Sequence, residues 1–498
     1  MISFLLSVLM LIAGYFLYGR FTEKTFGPDD RPTPAVTVND KVDYIPMPTR
    51  KVFMIQLLNI AGTGPIFGAL SGALFGPIVY LWIVFGCIFG GAVHDYFCGM
   101  LSARHNGAGI PELTGHYLGN GMRQVMRVFS VILLVMCGVV FTTGPAGLLS
   151  MLTGGAVSEK IWLWIIIAYY FVATFVPIDK VIGRIYPLFG VCLILMALGV
   201  SGSLLFSGRF EMPEIWNHFS NLHCESTPVW PFMFITVACG AISGFHATQS
   251  PMMARCLKTE KHGRAVFSGA MVAEGIIALV WAAAGVSCYE SSRALYDAGA
   301  GCSAVVYEIC RSTMGRVGSV LALIGVIVCP ISSGDTAYRS ARLTLADWFG
   351  SDQSSLKNRL LLTIPLLGAG CVICGMDYGI VWRYFSWANQ TLAMIALWTF
   401  SVYLRRRGRN HFITAVPAMF MSAVTVSYFL IAPECLGALW TVLGVESALL
   451  TPLAALCGIV CALLFYKIFI GKERCPRCGH SARADKAAIG NFAVTRRK

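Results

Sequence analysis

The stretch Asn59-Ile-Ala-Gly62-Thr63-Gly64-Pro65 sets two glycines and a proline inside an otherwise apolar run. These are strong helix breakers, and unwinding a helix at bilayer depth strands backbone N–H and C=O groups that only protein, water or a ligand can satisfy. Freed amides and a half-helix N-terminus favour an anion, whereas freed carbonyls favour a cation. The amides of Thr63 and Gly64, with a half-helix starting at Ile66, are therefore placed to receive a carboxylate. Pro65 costs little in a first turn, where its missing N–H would be unpaired anyway. Gln56 and Asn59 lie about one turn earlier, as partners either for a substrate or for neighbouring helices. A second interruption stands in "FITVACGAISGFHATQSPMMAR", where Gly240 and Gly244 punctuate the run and Pro251 closes it. His246 and Gln249 follow, able to hold a polar substrate or to be satisfied locally at a helix end.

Ionisable groups near apolar spans are functional candidates. "PISSGDTAYRSARL" supplies the hydroxyls of Ser332 and Ser333 and the carboxylate of Asp335, oxygen ligands for sodium or, at Asp335, a proton carrier. The alternative is a local ion pair of Asp335 with Arg339 or Arg342 on the next turn or two. His94 and Asp95 are adjacent, and neighbours on a helix point apart, so a gate or proton relay stands beside a structural pair with Arg104. Glu112 follows Pro111 and opens a short helix, where a solvated first-turn carboxylate suits the dipole. Asn389 and Gln390, near Trp387, bridge helices or line a cavity. Cys475, Cys478 and His480 in "CPRCGH" offer three soft ligands, one short of a closed zinc site and without a second pair. No phosphate-binding loop, nucleophile elbow or paired metalloprotease histidines occur, so neither ATP-driven pumping nor hydrolysis finds support.

The elements that must position these groups follow from hydropathy. Of 498 residues, 56% are hydrophobic and 13% charged, and apolar runs recur along the whole length. The fold class is an all-α polytopic membrane protein embedded in a lipid bilayer, with about thirteen helices. Their limits fall near 2–18, 52–75, 77–98, 127–153, 161–177, 187–206, 229–246, 265–287, 316–336, 360–376, 380–403, 412–431 and 449–470. The first run has no preceding basic residue and no small-residue cleavage site, so it reads as a retained helix with the N-terminus outside. An odd helix count then sets the C-terminus in the cytoplasm. Under this topology all but six of the 38 Lys and Arg (Lys160, Arg209, Arg293, Arg311, Arg316 and Arg383) fall inside. The net charge of +13 is thus a positive-inside bias and not a nucleic-acid footprint. Most of the 18 cysteines lie in apolar runs as small hydrophobes, with an external Cys302–Cys310 disulfide open. "SAVVYEICRSTM" reads as a surface helix, and "GALSGALFG" as a tight packing face built on Gly68, Gly72 and Gly76.

The two interrupted segments are the second and seventh helices, and five is odd, so they run in opposite directions. Paired breaks in inverted halves point to the binding site of a secondary transporter. The stretch "NIAGTGPIFGALSGALFGPIVYLWIVFGCIFGGAVHDYFCGMLSARHNGAGIPELTGHYLG", with "PISSGDTAYRSARLTLAD", resembles the carbon starvation protein A family of bacterial inner-membrane transporters. The resemblance implies a LeuT-like five-plus-five inverted repeat: an N-terminal helix and loop at 1–51, repeats at 52–228 and 229–411, two added helices at 412–471 and a tail at 472–498. It places Ser332, Ser333 and Asp335 on the eighth core helix, facing the first break across a cation site. It also implies uptake of pyruvate or short peptides, with Na+ or H+ as coupling ion. The substrate site is then Asn59, Gly62, Thr63, Gly64, Gly240, Gly244, His246 and Gln249. A membrane-embedded sensor signalling through the basic tail is the alternative function; oligomeric state is open.

Overall fold

A backbone in hydrocarbon has no water to bond, so apolar runs of this length close their hydrogen bonds as helices. The computed structural model describes residues 1–39, 44–173, 178–299, 303–353, 355–443 and 447–471. Among them there are helices and no strands, with one isolated bridge between Met47 and Leu257. The Ser332 side chain, Cys302, and the tail residues Cys475, Cys478 and His480 lie outside the described residues. Cys310 carries a free thiol.

Eight described helices are long and apolar enough to cross a membrane, and the bent pair Thr49–Ile60 and Gly64–Ala73 is a ninth such span. Tyr378–Arg406 is also long, but Arg383, Asn389 and Gln390 lower its hydropathy. The outermost spans, Ile2–Phe26, Leu356–Ile373 and Leu449–Phe469, are mostly exposed, as lipid-facing helices should be. The buried centre instead gathers Val79–Arg104, Glu260–Ser287 and the two broken segments.

Several limits differ from expectation. The first helix runs on to Phe26, where Gly27 adopts a left-handed φ of 69° and caps it. The expected surface helix "SAVVYEICRSTM" is continuous with the span after it, within Ser303–Phe349, and a kink at Gly315 lets one element do both. The seventh segment does not end at its histidine. Its first half is Val229–Thr236, and helix resumes at His246 and passes through Pro251 to Ala254.

Both interruptions are present. In the first, the chain leaves the helix at Ala61 and resumes at Gly64 with Pro65 in the first turn, bending by 48°. Residues 237–245 form the second, and Gly240 sits there at φ 88°, a conformation L side chains resist. The two breaks lie directly against one another. A Cβ on Gly64 would stand 2.4 Å from Cys239 Sγ, and one on Gly72 would stand 2.4 Å from the Val237 side chain. The small-residue face of the first segment thus packs, as its spacing predicts, and what it packs on is the second break.

Candidate functional site

The second break is held by side chains from elsewhere. Asn389 Oδ1 accepts the Phe245 amide at 2.7 Å and the Ser243 hydroxyl at 3.1 Å, while the Asn389 carbonyl accepts the Gly244 amide at 3.1 Å. Gln390 Nε2 donates to the Phe234 carbonyl at 3.1 Å, and Trp82 Nε1 donates to that of Val237 at 3.2 Å. Asn389 and Gln390 therefore bridge helices: Asn389 bonds the unwound backbone of the second break, and Gln390 bonds the last turn of Val229–Thr236 just before it. The first break is less provided for. Among the described residues no partner meets the amides of Gly62 and Thr63, nor the buried Thr63 hydroxyl. Gln56 Nε2 donates to Ser250 Oγ at 3.0 Å, tying Thr49–Ile60 to His246–Ala254. Asn59 is buried, and Gln249 Nε2 donates to Thr248 Oγ1 at 2.9 Å.

A chain of ionisable groups runs beside the second break. His94 Nδ1 lies 2.9 Å from Asp95 Oδ1, and Asp95 Oδ2 lies 2.9 Å from His246 Nδ1. His246 Nε2 lies 3.3 Å from Glu274 Oε2, and all four side chains are fully buried. Cys98 Sγ closes the other end, 3.6 Å from His94 Nε2. Three elements meet here: Val79–Arg104, the half-helix His246–Ala254, and Glu260–Ser287. The approach is made by Gly91, where a Cβ would stand 2.3 Å from the Ala241 carbonyl. Gly91 closes a π-helical turn, Gly86–Gly91, which re-aims the residues that follow.

This geometry corrects the sequence reading at His94 and Asp95. The two are adjacent, yet their side chains meet through the Asp95 carboxylate. Arg104 is not their partner: its guanidinium makes a fork with Glu260, Nε to Oε1 at 3.0 Å and Nη2 to Oε2 at 2.8 Å. Asp335 pairs with Arg339 Nη2 at 3.3 Å and lines a cleft with Tyr170, Tyr338, Arg342 and Thr363. Ser333 does face the first break, its Oγ 3.7 Å from where a Cβ on Gly62 would be. Glu112 sits in the first turn of Ile110–Leu118 and pairs with Arg123 and Arg127. The sequence reading missed Glu274, Glu260 and Cys239. Glu274 carried a legible signal, a lone carboxylate within an apolar run.

The family model for carbon starvation protein CstA matches residues 1–153, 148–294 and 288–428. The chain belongs to the CstA family. A membrane protein of Haemophilus influenzae is 45% identical over 355 residues, 61% of this chain and 95% of that one. The peptide transporter CstA of Bacillus subtilis is 26% identical over 85% of this chain and 88% of its own length. The pyruvate/proton symporter BtsT of Escherichia coli is 25% identical over 55% of this chain and 47% of its own. In fold, the CstA-family chain is similar to a manganese transporter of Eremococcus coleocola, with TM-score 0.53 at 11% identity, covering 91% of this chain and 99% of that one. It is also similar to MhsT in complex with L-phenylalanine, with TM-score 0.50 at 16% identity, covering 84% and 98%. The fold is LeuT-like, and the chain is a membrane transporter of the CstA family.

Proposed function

We propose that this CstA-family protein imports a small carboxylate nutrient, pyruvate or a short peptide, across the bacterial inner membrane by proton-coupled alternating access between the 52–228 and 229–411 repeats. The observation that carries the coupling is the buried chain His94–Asp95–His246–Glu274 beside the second break. Imidazoles and carboxylates at hydrogen-bond separation, sealed from water, exchange protons among themselves more readily than they release them. Because the chain joins three elements, any rearrangement of the second break changes which partner holds the proton. The unpartnered amides of Gly62 and Thr63 support a carboxylate site at the first break. The N-terminus is outside and the C-terminus cytoplasmic in this reading, and the protein transports its substrate without chemically converting it.

A second coupling ion has one observation in its favour. Ser333 Oγ lies 3.7 Å from where a Cβ on Gly62 would be, so a hydroxyl oxygen stands beside the unwound backbone of the first break, and unwound carbonyls with hydroxyls suit Na+. Reconstituted vesicles separate these readings. Labelled pyruvate and a labelled dipeptide are offered under an imposed inward proton gradient, then under a sodium gradient. Accumulation with protons alone, abolished by a protonophore, is the expected result; accumulation that requires sodium overturns the proton assignment, and accumulation under neither gradient overturns coupled import.

A further inference from the structure

The chain of buried groups ends at Glu274 in a way that proton relay leaves unexplained. Neither Glu274 oxygen closes a well-aligned hydrogen bond, although the residue has no exposure, and its compensation comes from His246 and the Gly240 amide. His246 Nε2 faces it at 3.3 Å, likewise without an aligned bond. Beside both stands Cys239, whose sulfur lies 3.6 Å from Ser243 Oγ and 3.8 Å from Asn389 Nδ2. One ligand atom from each of Cys239, His246 and Glu274 lies within 4.8 Å of the other two.

A thiolate, an imidazole and a carboxylate form the donor set of a borderline-soft divalent cation, whereas Na+, Ca2+ and Mg2+ prefer oxygen alone. Metal-bound histidines commonly give the proton of the second ring nitrogen to a carboxylate, which fixes the ring and raises its basicity. Asp95 Oδ2 stands in that acceptor position, 2.9 Å from His246 Nδ1, and Asp95 is itself held by His94. The 3.3 Å between Nε2 and Oε2 is also the edge length of a tetrahedron around an ion with bonds of about 2.0–2.1 Å.

We propose that Cys239, His246 and Glu274 bind one divalent transition-metal ion, of which Zn2+ is the type, and that the bound ion clamps the second break to Glu260–Ser287 and inhibits transport. On binding, the Cys239 thiol releases its proton to solvent, as does any proton shared by His246 and Glu274, and three metal–ligand bonds form. Access requires the transporter to open, since all three ligands are buried. The binding half stands whether or not the proton relay does, because it is read by spectroscopy.

The test uses the full chain, purified without metal and carrying Cys475→Ser and Cys478→Ser so that the tail offers no thiolate. Titration with Co2+ alone is expected to give a thiolate-to-cobalt charge-transfer band that saturates at one equivalent, which Zn2+ bleaches. Cys239→Ser should remove that band, and Asp95→Asn should weaken binding about 10–100-fold, the usual effect of losing the residue behind a ligating histidine. Glu274→Gln, which keeps the side chain's shape, should weaken it as well. No band, or a band that survives Cys239→Ser in protein that still elutes as a folded species, overturns the site. In vesicles, Zn2+ should inhibit uptake; inhibition unchanged in Cys239→Ser, which leaves the relay intact, overturns the clamp.

Discussion

Asn389 Oδ1 accepts the amide of Phe245 at 2.7 Å, so one carboxamide on Tyr378–Arg406 fixes the far end of the unwound stretch in the second broken segment. The same oxygen takes the Ser243 hydroxyl. Asn389→Ala leaves a buried amide and a buried hydroxyl without this acceptor, at a cost of about 1–3 kcal/mol for the stranded group. A lower melting temperature in detergent and reduced uptake are expected. Asn389→Ala protein that melts with the wild type removes the carboxamide from this role.

Asp95 stands between two imidazoles, His94 and His246, at 2.9 Å from each. Asp95→Asn keeps the shape and one acceptor oxygen while removing the charge that binds the chain together. Gradient-driven accumulation should fall to background, while exchange of labelled for unlabelled substrate persists, because exchange needs no net proton movement. His246→Gln should behave the same way. If Asp95→Asn accumulates substrate under a proton gradient as the parent does, the relay lies elsewhere.

Gly64 and Cys239 bring the two breaks against one another, and a methyl on Gly64 has 2.4 Å where it needs about 3.5–4.0 Å. Gly64→Ala should cost about 1–3 kcal/mol through overpacking. Cys239→Ala removes the obstructing sulfur, so the Gly64→Ala/Cys239→Ala protein should recover part of the loss. A thermal-melt double-mutant cycle reads the coupling directly, and strictly additive losses would mean the contact is not made in solution.

The breaks themselves were legible because they rest on local chemistry: glycine and proline within an apolar run mean unwound backbone wherever the chain goes. The packing of Gly68 and Gly72 was legible for the same reason, although the surface they meet was not. The relay was half legible. His94, Asp95 and His246 drew attention as ionisable groups, but their association depends on the crossing of Val79–Arg104 with the second break, which spacing does not encode. Glu274 sits alone in "AMVAEGIIALV" and was overlooked for want of a partner in sequence. Asp335 was legible as well. The sequence offered it either as an ion ligand or as a partner of the arginine one turn on, and the pair with Arg339 is present at 3.3 Å. Glu260 looks like one more charge in "KTEKHGR", and nothing nearby signals that it is 1% exposed.

That buried carboxylate supports the last prediction. Arg104 gives Glu260 a two-bond fork, donates to Tyr403 Oη at 2.9 Å and to the Gly27 carbonyl at 2.7 Å, and lies 3.9 Å over the Phe26 ring. One side chain thereby ties the end of Ile2–Phe26 to Val79–Arg104, Tyr378–Arg406 and the start of Glu260–Ser287. Arg104→Ala leaves buried Glu260 with the Asp29 amide at 3.1 Å and the half-exposed Arg31 at 3.7 Å as its remaining partners, and removing one partner of a buried pair costs up to about 3–5 kcal/mol. Glu260→Ala strands the guanidinium in turn, although Tyr403 and Gly27 still bond it, so its cost should be smaller. Removing both groups leaves no uncompensated charge, and Arg104→Ala/Glu260→Ala should melt above Arg104→Ala alone. A double variant whose loss relative to the wild type equals the sum of the two single losses would show that Arg104 acts through Tyr403, Gly27 and Phe26, with the Glu260 fork contributing nothing.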